Sequence, residues 1–161
     1  MSTAWKPAVV VAAIIEKEGR FLMVEENTPT GIRYNQPAGH LDPGETLLEA
    51  VTRETLEETA HDFTPTELLG TYMLHYDTPA GEHVRTFIRF AFVGELGAKQ
   101  DRPLDKDIIR TLWMTRDELV ACRNQHRSPL ILQCVDDYLA GKRTPLSLLT
   151  SLVATAGGIY G

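Results

Sequence analysis

Residues 39–61 read GHLDPGETLLEAVTRETLEETAH, and the reading of this stretch decides the rest. It opens on Gly39, Asp42, Pro43 and Gly44, a cluster of breakers that predicts a loop. Thr46 followed three residues later by Glu49 is a capping-box pattern, which starts a helix at Thr46 or just after it. No Gly or Pro interrupts the chain from Thr46 to Ala60. At roughly 100° per residue, Leu47, Ala50 and Val51 share one helical face, the natural one to bury. Glu54, Glu57 and Glu58, at i, i+3 and i+4, continue that face one turn further. A solvated helix sets its acids opposite its apolar stripe, whereas here three carboxylates extend it. At close range they repel one another and resist ionising together. A divalent cation removes that cost, and an all-oxygen ligand set suits a hard ion such as Mg²⁺. The plain alternative is a solvated acidic face whose spacing is incidental.

The preceding loop favours the metal. Gly39, Glu45, Arg53, Glu54, Glu57 and Glu58 stand at the spacing G-x5-E-x7-R-E-U-x-E-E-x-G-U, where U is aliphatic, so the stretch resembles the signature of the Nudix hydrolases. Three positions depart from it. Thr55 stands at an aliphatic position, Ala60 replaces the last Gly, and His61 takes the last aliphatic slot. All three touch packing or the helix end rather than ligands. Without a Gly to take up the left-handed cap, the helix is expected to run on or end differently. YNQPAGHLD at 34–42, RSPL at 127–130 and the spacing from Asp107 to Trp113 resemble the NudJ-type branch, small bacterial nucleotide and thiamine-precursor pyrophosphatases. The resemblance spans Pro7 to about Leu146.

That resemblance implies an α/β/α sandwich with a mixed sheet. It implies hydrolysis of phosphoanhydride bonds, in nucleoside tri- or diphosphates or thiamine-type pyrophosphates, by attack of water on phosphorus. Such chemistry is mostly positioning and charge neutralisation. Glu57 and Glu58 become the main ligands of Mg²⁺ (Mn²⁺ is an acceptable substitute), helped by Glu54 and the Gly39 carbonyl. Glu54 is alternatively the general base. Arg53 is expected to pair with Glu45 and hold loop against helix; an ordinary surface ion pair, worth little, is the rival. Asp105 and Asp107 fall where many relatives carry a further acid, as a late metal ligand or base, or else as solvated loop acids. The rival activities are nucleotide-sugar or ADP-ribose hydrolysis, and a Nudix-fold module that binds a ligand without cleaving it. A calcium loop of the D-x-D-x-D-G kind is not present.

Outside the signature the residues themselves suggest contacts to a small phosphorylated substrate. Arg89 or Arg85 could clamp a phosphate, or simply cover the sheet. Tyr34, beside Asn35 and Gln36, could stack on and hydrogen-bond a substrate ring, with plain packing as the alternative. His40 is given no role, and His75 and His83, without ligand spacing, are read as structural or solvated.

The 161 residues are the size of one domain, 1–161, with a net charge of −6. That charge argues against non-specific duplex nucleic-acid binding but not against a phosphorylated small molecule, since a bound metal reverses the local sign. Cys122 and Cys134 form no CxxC or zinc spacing and read as buried free thiols, which fits a reducing compartment. The start, MSTAWKP, lacks a signal peptide's basic and apolar regions, and Pro7–Ile15 is far short of a membrane span. A cytoplasmic protein, monomer or homodimer, without membrane attachment, is expected.

Ala8–Ile15 reads as a buried strand that makes a hairpin with Arg20–Glu26. Arg33–Ala38 is a short extended piece that Pro37 should end. Glu67–His75 and Val84–Val93 read as strands around a polar tip, with Gly94–Leu104 as a loop. In the second of these, Thr86, Ile88, Phe90 and Phe92 face one way and Arg85, Phe87, Arg89 and Ala91 the other. Ile108–Trp113 is a further strand. Thr115 with Glu118 caps a helix to Ala121, and Ser128–Ala140 is the last helix. The tail 144–161 carries no charge; docking on the domain, an interface and looseness are all open to it.

Overall fold

The computed structural model describes residues 4–155 and 157. The most buried strand, β1 (Ala8–Ile14), is the fold's axis: Val11, Ala12 and Ala13 have no exposed surface and Ile14 has 1 %. Such a continuous apolar run fits a strand covered on both faces. Both its edges are also taken, so the expected hairpin with the next long strand does not form. Only β2 (Glu16–Lys17) folds back on β3 (Arg20–Thr28), through a turn in which Glu18 and Gly19 have φ of 52° and 78°. At Ile15, whose carbonyl accepts from the Leu22 N–H at 2.9 Å, the chain leaves one sheet for another.

From there β3 pairs with β4 (Gly31–Asn35), and after Pro37 the chain crosses back as β5 (Ala38–His40), antiparallel to β1. Proline therefore ends a strand where the sequence indicated. The signature helix α1 (Leu47–Thr59) follows, with the Thr46–Glu49 capping box in place. It stops on schedule: Ala60 takes the left-handed conformation itself, at φ 61°, and its N–H donates to Leu56 O at 2.9 Å. A non-glycine residue there costs of order 1 kcal/mol, so the missing glycine strains the helix end without moving it.

Two long strands, β6 (His61–Asp77) and β7 (His83–Lys99), form the largest hairpin. Both extend well beyond the expected Glu67–His75 and Val84–Val93. Gly94, read as the start of a loop, is a close-approach glycine inside the strand: a Cβ there would run into Thr64 O and the Phe63 ring. Pro65 lies opposite it, next to a register shift that absorbs the missing donor. β8 (Ile108–Thr115) then pairs with β3, α2 (Arg116–Ala121) starts from the Thr115–Glu118 capping box, and α3 (Leu130–Leu139) precedes β9 (Thr144–Pro145) on the outer edge of β6.

The result is a mixed sheet in the order β5-β1-β7-β6-β9, with β1 and β7 parallel, beside a second sheet of β2, β3, β4 and β8. Ala50 and Val51 of α1 pack with Val11, Ala13 and Phe92 on one face of the main sheet. Ile131, Cys134 and Val135 of α3 pack with Ile14, Ala91 and Met23 on the other. This is the α/β/α sandwich with a mixed sheet. Both faces of β7 are therefore covered in its middle, around Arg89 to Val93, the face carrying Arg89 included. Cys122 is half-buried and Cys134 buried, both as free thiols. The tail docks in part, since Leu146 and Leu149 pack against the α1-side core; residues 1–3, 156 and 158–161 lie outside the described residues. Among the described residues no helix is long and apolar enough to cross a membrane.

Candidate active site

The loop before α1 is built around one guanidinium. Arg53 Nε donates to Glu45 Oε2 at 3.0 Å and Nη2 to Glu45 Oε1 at 2.7 Å, a two-pronged grip on the loop. Nη2 also donates to the His40 carbonyl at 2.9 Å, and Nη1 to Glu54 Oε1 at 2.9 Å and Glu57 Oε2 at 3.2 Å. All five N–H groups of the side chain have acceptors. Glu45 is held below the ordinary carboxylate range chiefly by that hydrogen bond, and its Oε1 also accepts from the Asp42 N–H at 2.8 Å. Arg53 thus lashes the loop to the helix and aims two of the helix's carboxylates.

Oxygens of Glu54, Glu57 and Asp105 lie within 4.8 Å of one another. Asp105 comes from the connection between β7 and β8, which is hooked to the helix by its own N–H on Glu57 O at 2.9 Å. Burial pushes Glu54 up to about 7 against the pull of Arg53, and the nearby charges of Glu57 and Asp105 push the same way. Glu58 turns inward: it is 7 % exposed and accepts the Ala38 N–H at 2.8 Å. Burial, then Glu26, Glu54 and Asp105, raise it well above its ordinary range, with the Ala38 hydrogen bond opposing. Two largely buried carboxylates, Glu54 and Glu58, beside half-buried Glu57 and exposed Asp105, are what a hard divalent cation neutralises. Gly39 adds a second sign of fit, because a Cβ on it would strike the Glu54 carboxylate. The loop backbone approaches this cluster as only glycine allows. Glu54, Glu57 and Asp105, with Glu58 and the Gly39 carbonyl beside them, are the residues that could hold Mg²⁺.

A cavity of about 950 Å³ opens from the acids along the sheet. Glu54, Glu58, Asp105, Asp107, Gly39 and Arg89 all line it. Arg89 is 4 % exposed, donating to Gln36 Oε1 at 2.9 Å and Asn35 Oδ1 at 3.2 Å, and among the described residues no carboxylate pairs with it. Tyr34 and Gln36, expected at the substrate ring, are placed elsewhere. On β4 the alternation sends Arg33 and Asn35 to the cavity and Tyr34 to the α3-side core. Gln36 is 1 % exposed, and its Nε2 donates to Ile131 O at 2.9 Å. Both serve the wall from behind.

Sequence reasoning missed Glu26 and gave Arg127 no role. Glu26 lines the cavity 8 % exposed, accepting from Arg127 Nη1 at 3.3 Å and Asn35 Nδ2 at 3.4 Å. Burial raises it, Arg127 opposes and Asp107 adds to the rise. Its signal was an acid closing the buried strand segment FLMVEE, where a solvated residue would be cheap and a buried one needs partners. His40 lies on the cavity wall and is pushed down by burial, then by Arg85 and Arg127. His75 bonds Thr86 Oγ1 at 2.8 Å and His83 pairs with Asp77 at 3.1 Å, both away from the acids.

Comparison with known proteins agrees with this geometry. The NUDIX domain model matches residues 5–134. The phosphatase NudJ of Escherichia coli strain K12 is 37 % identical over 146 residues, covering 90 % of this chain and 92 % of that protein. A solved NUDIX hydrolase from Nitrosomonas europaea is 46 % identical, covers 91 % of this chain and 98 % of that one, and superposes with a TM-score of 0.83. The MutT protein of Methanosarcina mazei, at 23 % identity, covers 87 % of this chain and 99 % of that one, and with a TM-score of 0.66 shares the fold.

Proposed function

The chain belongs to the Nudix hydrolase family, and on that premise we propose that it cleaves phosphoanhydride bonds of nucleoside tri- or diphosphates or thiamine-type pyrophosphates with Mg²⁺, or Mn²⁺ in its place. The convergence of Glu54, Glu57 and Asp105 carries the reading. The name of the curated relative, a phosphatase, supports it. Bound at these oxygens, a divalent cation supplies neutralisation of phosphate charge and a more acidic water. The protein's own groups do the rest. Arg53 fixes the directions of Glu54 and Glu57, and buried Arg89 faces the substrate's phosphates from the cavity wall. Asp107, on that wall and outside the Arg53 network, takes the proton of the attacking water.

The test is release of phosphate or pyrophosphate from nucleoside di- and triphosphates, thiamine-type pyrophosphates, ADP-ribose and nucleotide sugars, with Mg²⁺, with EDTA, and with Glu58→Gln. Turnover that requires Mg²⁺ and collapses in the variant is expected. Folded, Mg²⁺-binding protein that turns over nothing in the panel would make this a binding module.

A further inference from the structure

The face of the β6–β7 hairpin that carries Arg89 changes character along its length. In register, Tyr72 lies opposite Arg89, Leu74 opposite Phe87, and Tyr76 opposite Arg85. The first pair is roofed by α3, to which Tyr72 OH donates at Asp137 Oδ2, 2.7 Å away. Beyond Leu130, where α3 begins, the roof ends. Leu74, Tyr76, Val84, Arg85 and Phe87 are left as the bare floor of the same cavity that holds the acids. Tyr76 is 40 % exposed and Val84 63 %, an apolar floor inside a cleft rather than scattered surface residues.

That floor is already a stack. The Arg85 guanidinium carbon sits 4.6 Å from the Phe87 ring centroid, and the Tyr76 ring meets Phe87 edge-on at 6.0 Å and 85°. A guanidinium laid on an aromatic ring offers its other flat face to a second planar group. Gly39 pairs with Val11 and Val11 with Phe90, so Phe87 lies three residues, about 10 Å, along the sheet from the level of the acids. Arg89, the buried cation that no carboxylate pairs with among the described residues, lies between the two ends. The cleft therefore runs from acids through a cation to a π-faced floor. Phosphates at the first two and a planar ring at the third match that order.

We propose that Arg85, Phe87 and Tyr76 form the subsite for an aromatic heterocycle, which continues the Phe87–Arg85 stack while the phosphoanhydride reaches the carboxylates. The assignment rests on the proposed hydrolysis and says which end of the substrate is recognised by shape. A ring on this floor accounts for Arg85 by its planarity rather than its charge alone, and that separates it from a phosphate clamp.

The experiment compares a nucleoside triphosphate with ribose 5-triphosphate, which carries the same phosphates and sugar without the aromatic base, in wild type, Arg85→Ala, Arg85→Lys and Phe87→Ala. Arg85 is exposed, so its variants test the site without disturbing the core. Stacking of a base on such a group is worth roughly 1–3 kcal/mol, which predicts a rise in KM of about 5- to 160-fold for the nucleotide. The rise should appear in Arg85→Ala and Phe87→Ala, with kcat nearly unchanged, and Arg85→Lys should not rescue it. KM for ribose 5-triphosphate should stay within about twofold. Equal losses on both substrates, full rescue by lysine, or no loss on the nucleotide would overturn the subsite. So would a change of oligomeric state in the variants, which would make this floor a contact between copies. Wild-type protein inert toward both substrates with Mg²⁺ would instead refute the hydrolysis, so the two failures are distinct.

Discussion

Glu54→Gln should stabilise the metal-free protein while abolishing its response to Mg²⁺. In the fold Glu54 sits with 12 % of its side chain exposed and is pushed up to about 7, from an ordinary 4.5. Between those values the folded chain holds a proton that the unfolded chain has released, so stability falls as pH rises through the window. Above pH 7 the full cost is present, about 3 kcal/mol from a difference of that size. Glutamine keeps an oxygen for Arg53 Nη1 but has nothing to ionise. The variant should therefore exceed wild type by up to about 3 kcal/mol at pH 8 in EDTA, or roughly 6–12 °C in Tm at 2–4 °C per kcal/mol for a chain of this size. The gap should shrink as pH falls toward 4.5, where Glu54 is neutral in the fold and half ionised in the unfolded chain, and close below it. Added Mg²⁺ should raise the Tm of wild type by mass action and leave the variant nearly unmoved. Thermal melts at pH 4.5, 6, 7 and 8, with EDTA and with Mg²⁺, measure all of this. A variant less stable than wild type at pH 8 in EDTA, or a gap that does not change with pH, would refute the reasoning.

Gly39→Ala should fold, because the atoms in the way of the new Cβ are the far end of the flexible Glu54 side chain, but that carboxylate must be displaced; Mg²⁺ affinity by calorimetry should fall at least about tenfold, the scale of a disturbed ligand environment. Arg53→Lys keeps the charge but replaces five N–H donors in a flat fork with three on a single nitrogen, which cannot reach loop and helix together; turnover should drop about 10- to 100-fold, with most of the loss in kcat. Tyr72→Phe removes the 2.7 Å bond that joins the sheet to α3 at Asp137 and should cost about 1–2 kcal/mol at pH 7 in urea melts. Burial pushes Asp137 up, but hydrogen bonds from Tyr72, Lys142 and Gln133 outweigh it and hold it low. That stability is present at neutral pH and lost as pH falls through the lowered value, so the penalty of the substitution should shrink in strong acid.

The carboxylates on α1 were legible because a helix has one period: spacing alone puts Glu54, Glu57 and Glu58 on the stripe begun by Ala50 and Val51. The resemblance to the Nudix signature linked Glu45 to Arg53. What it could not give was how the stripe divides. Glu58 lies on the strand side and is claimed by the Ala38 N–H, while Glu54 and Glu57 lean toward Arg53 and Asp105. A turn of about 40° between neighbouring positions decides that, and only tertiary contact fixes where the seam falls. Tyr34 and Gln36 failed for the opposite reason. A strand's two faces are symmetric in sequence, and a one-residue choice of face sends Asn35 to the cavity and Tyr34 to the core.

Strand limits were the weakest part of the reading, and the cause is shared. Gly94 and Pro65 are breakers by local rules, yet they face each other in the hairpin, where the bare Gly94 leaves room for Thr64 O and the Phe63 ring and a register shift follows Pro65. Breaker signals describe a residue's own backbone, whereas a sheet tests pairs. The hairpin of β1 with β3 misled in the same way, since its turn is real but β1 already has two neighbours.

The same pairing explains why the acids can be so unfavourable and still persist. β1 is fixed by burial on both faces, and it fixes β5 by register: Val11 to Gly39 and Ala12 to Ala38. That register delivers the Ala38 N–H to Glu58 and a side-chain-free Gly39 to Glu54. The helix cannot retreat, because Ala50 and Val51 are packed against the same strand's neighbours. The apolar core thus holds charges together that would part if they were free, and the gain per large apolar side chain buried, about 1.5–3 kcal/mol, is large enough to offset their repulsion. The carboxylates are strained toward a cation by the core beneath them, which is why replacing one with glutamine should cost function and add stability at once.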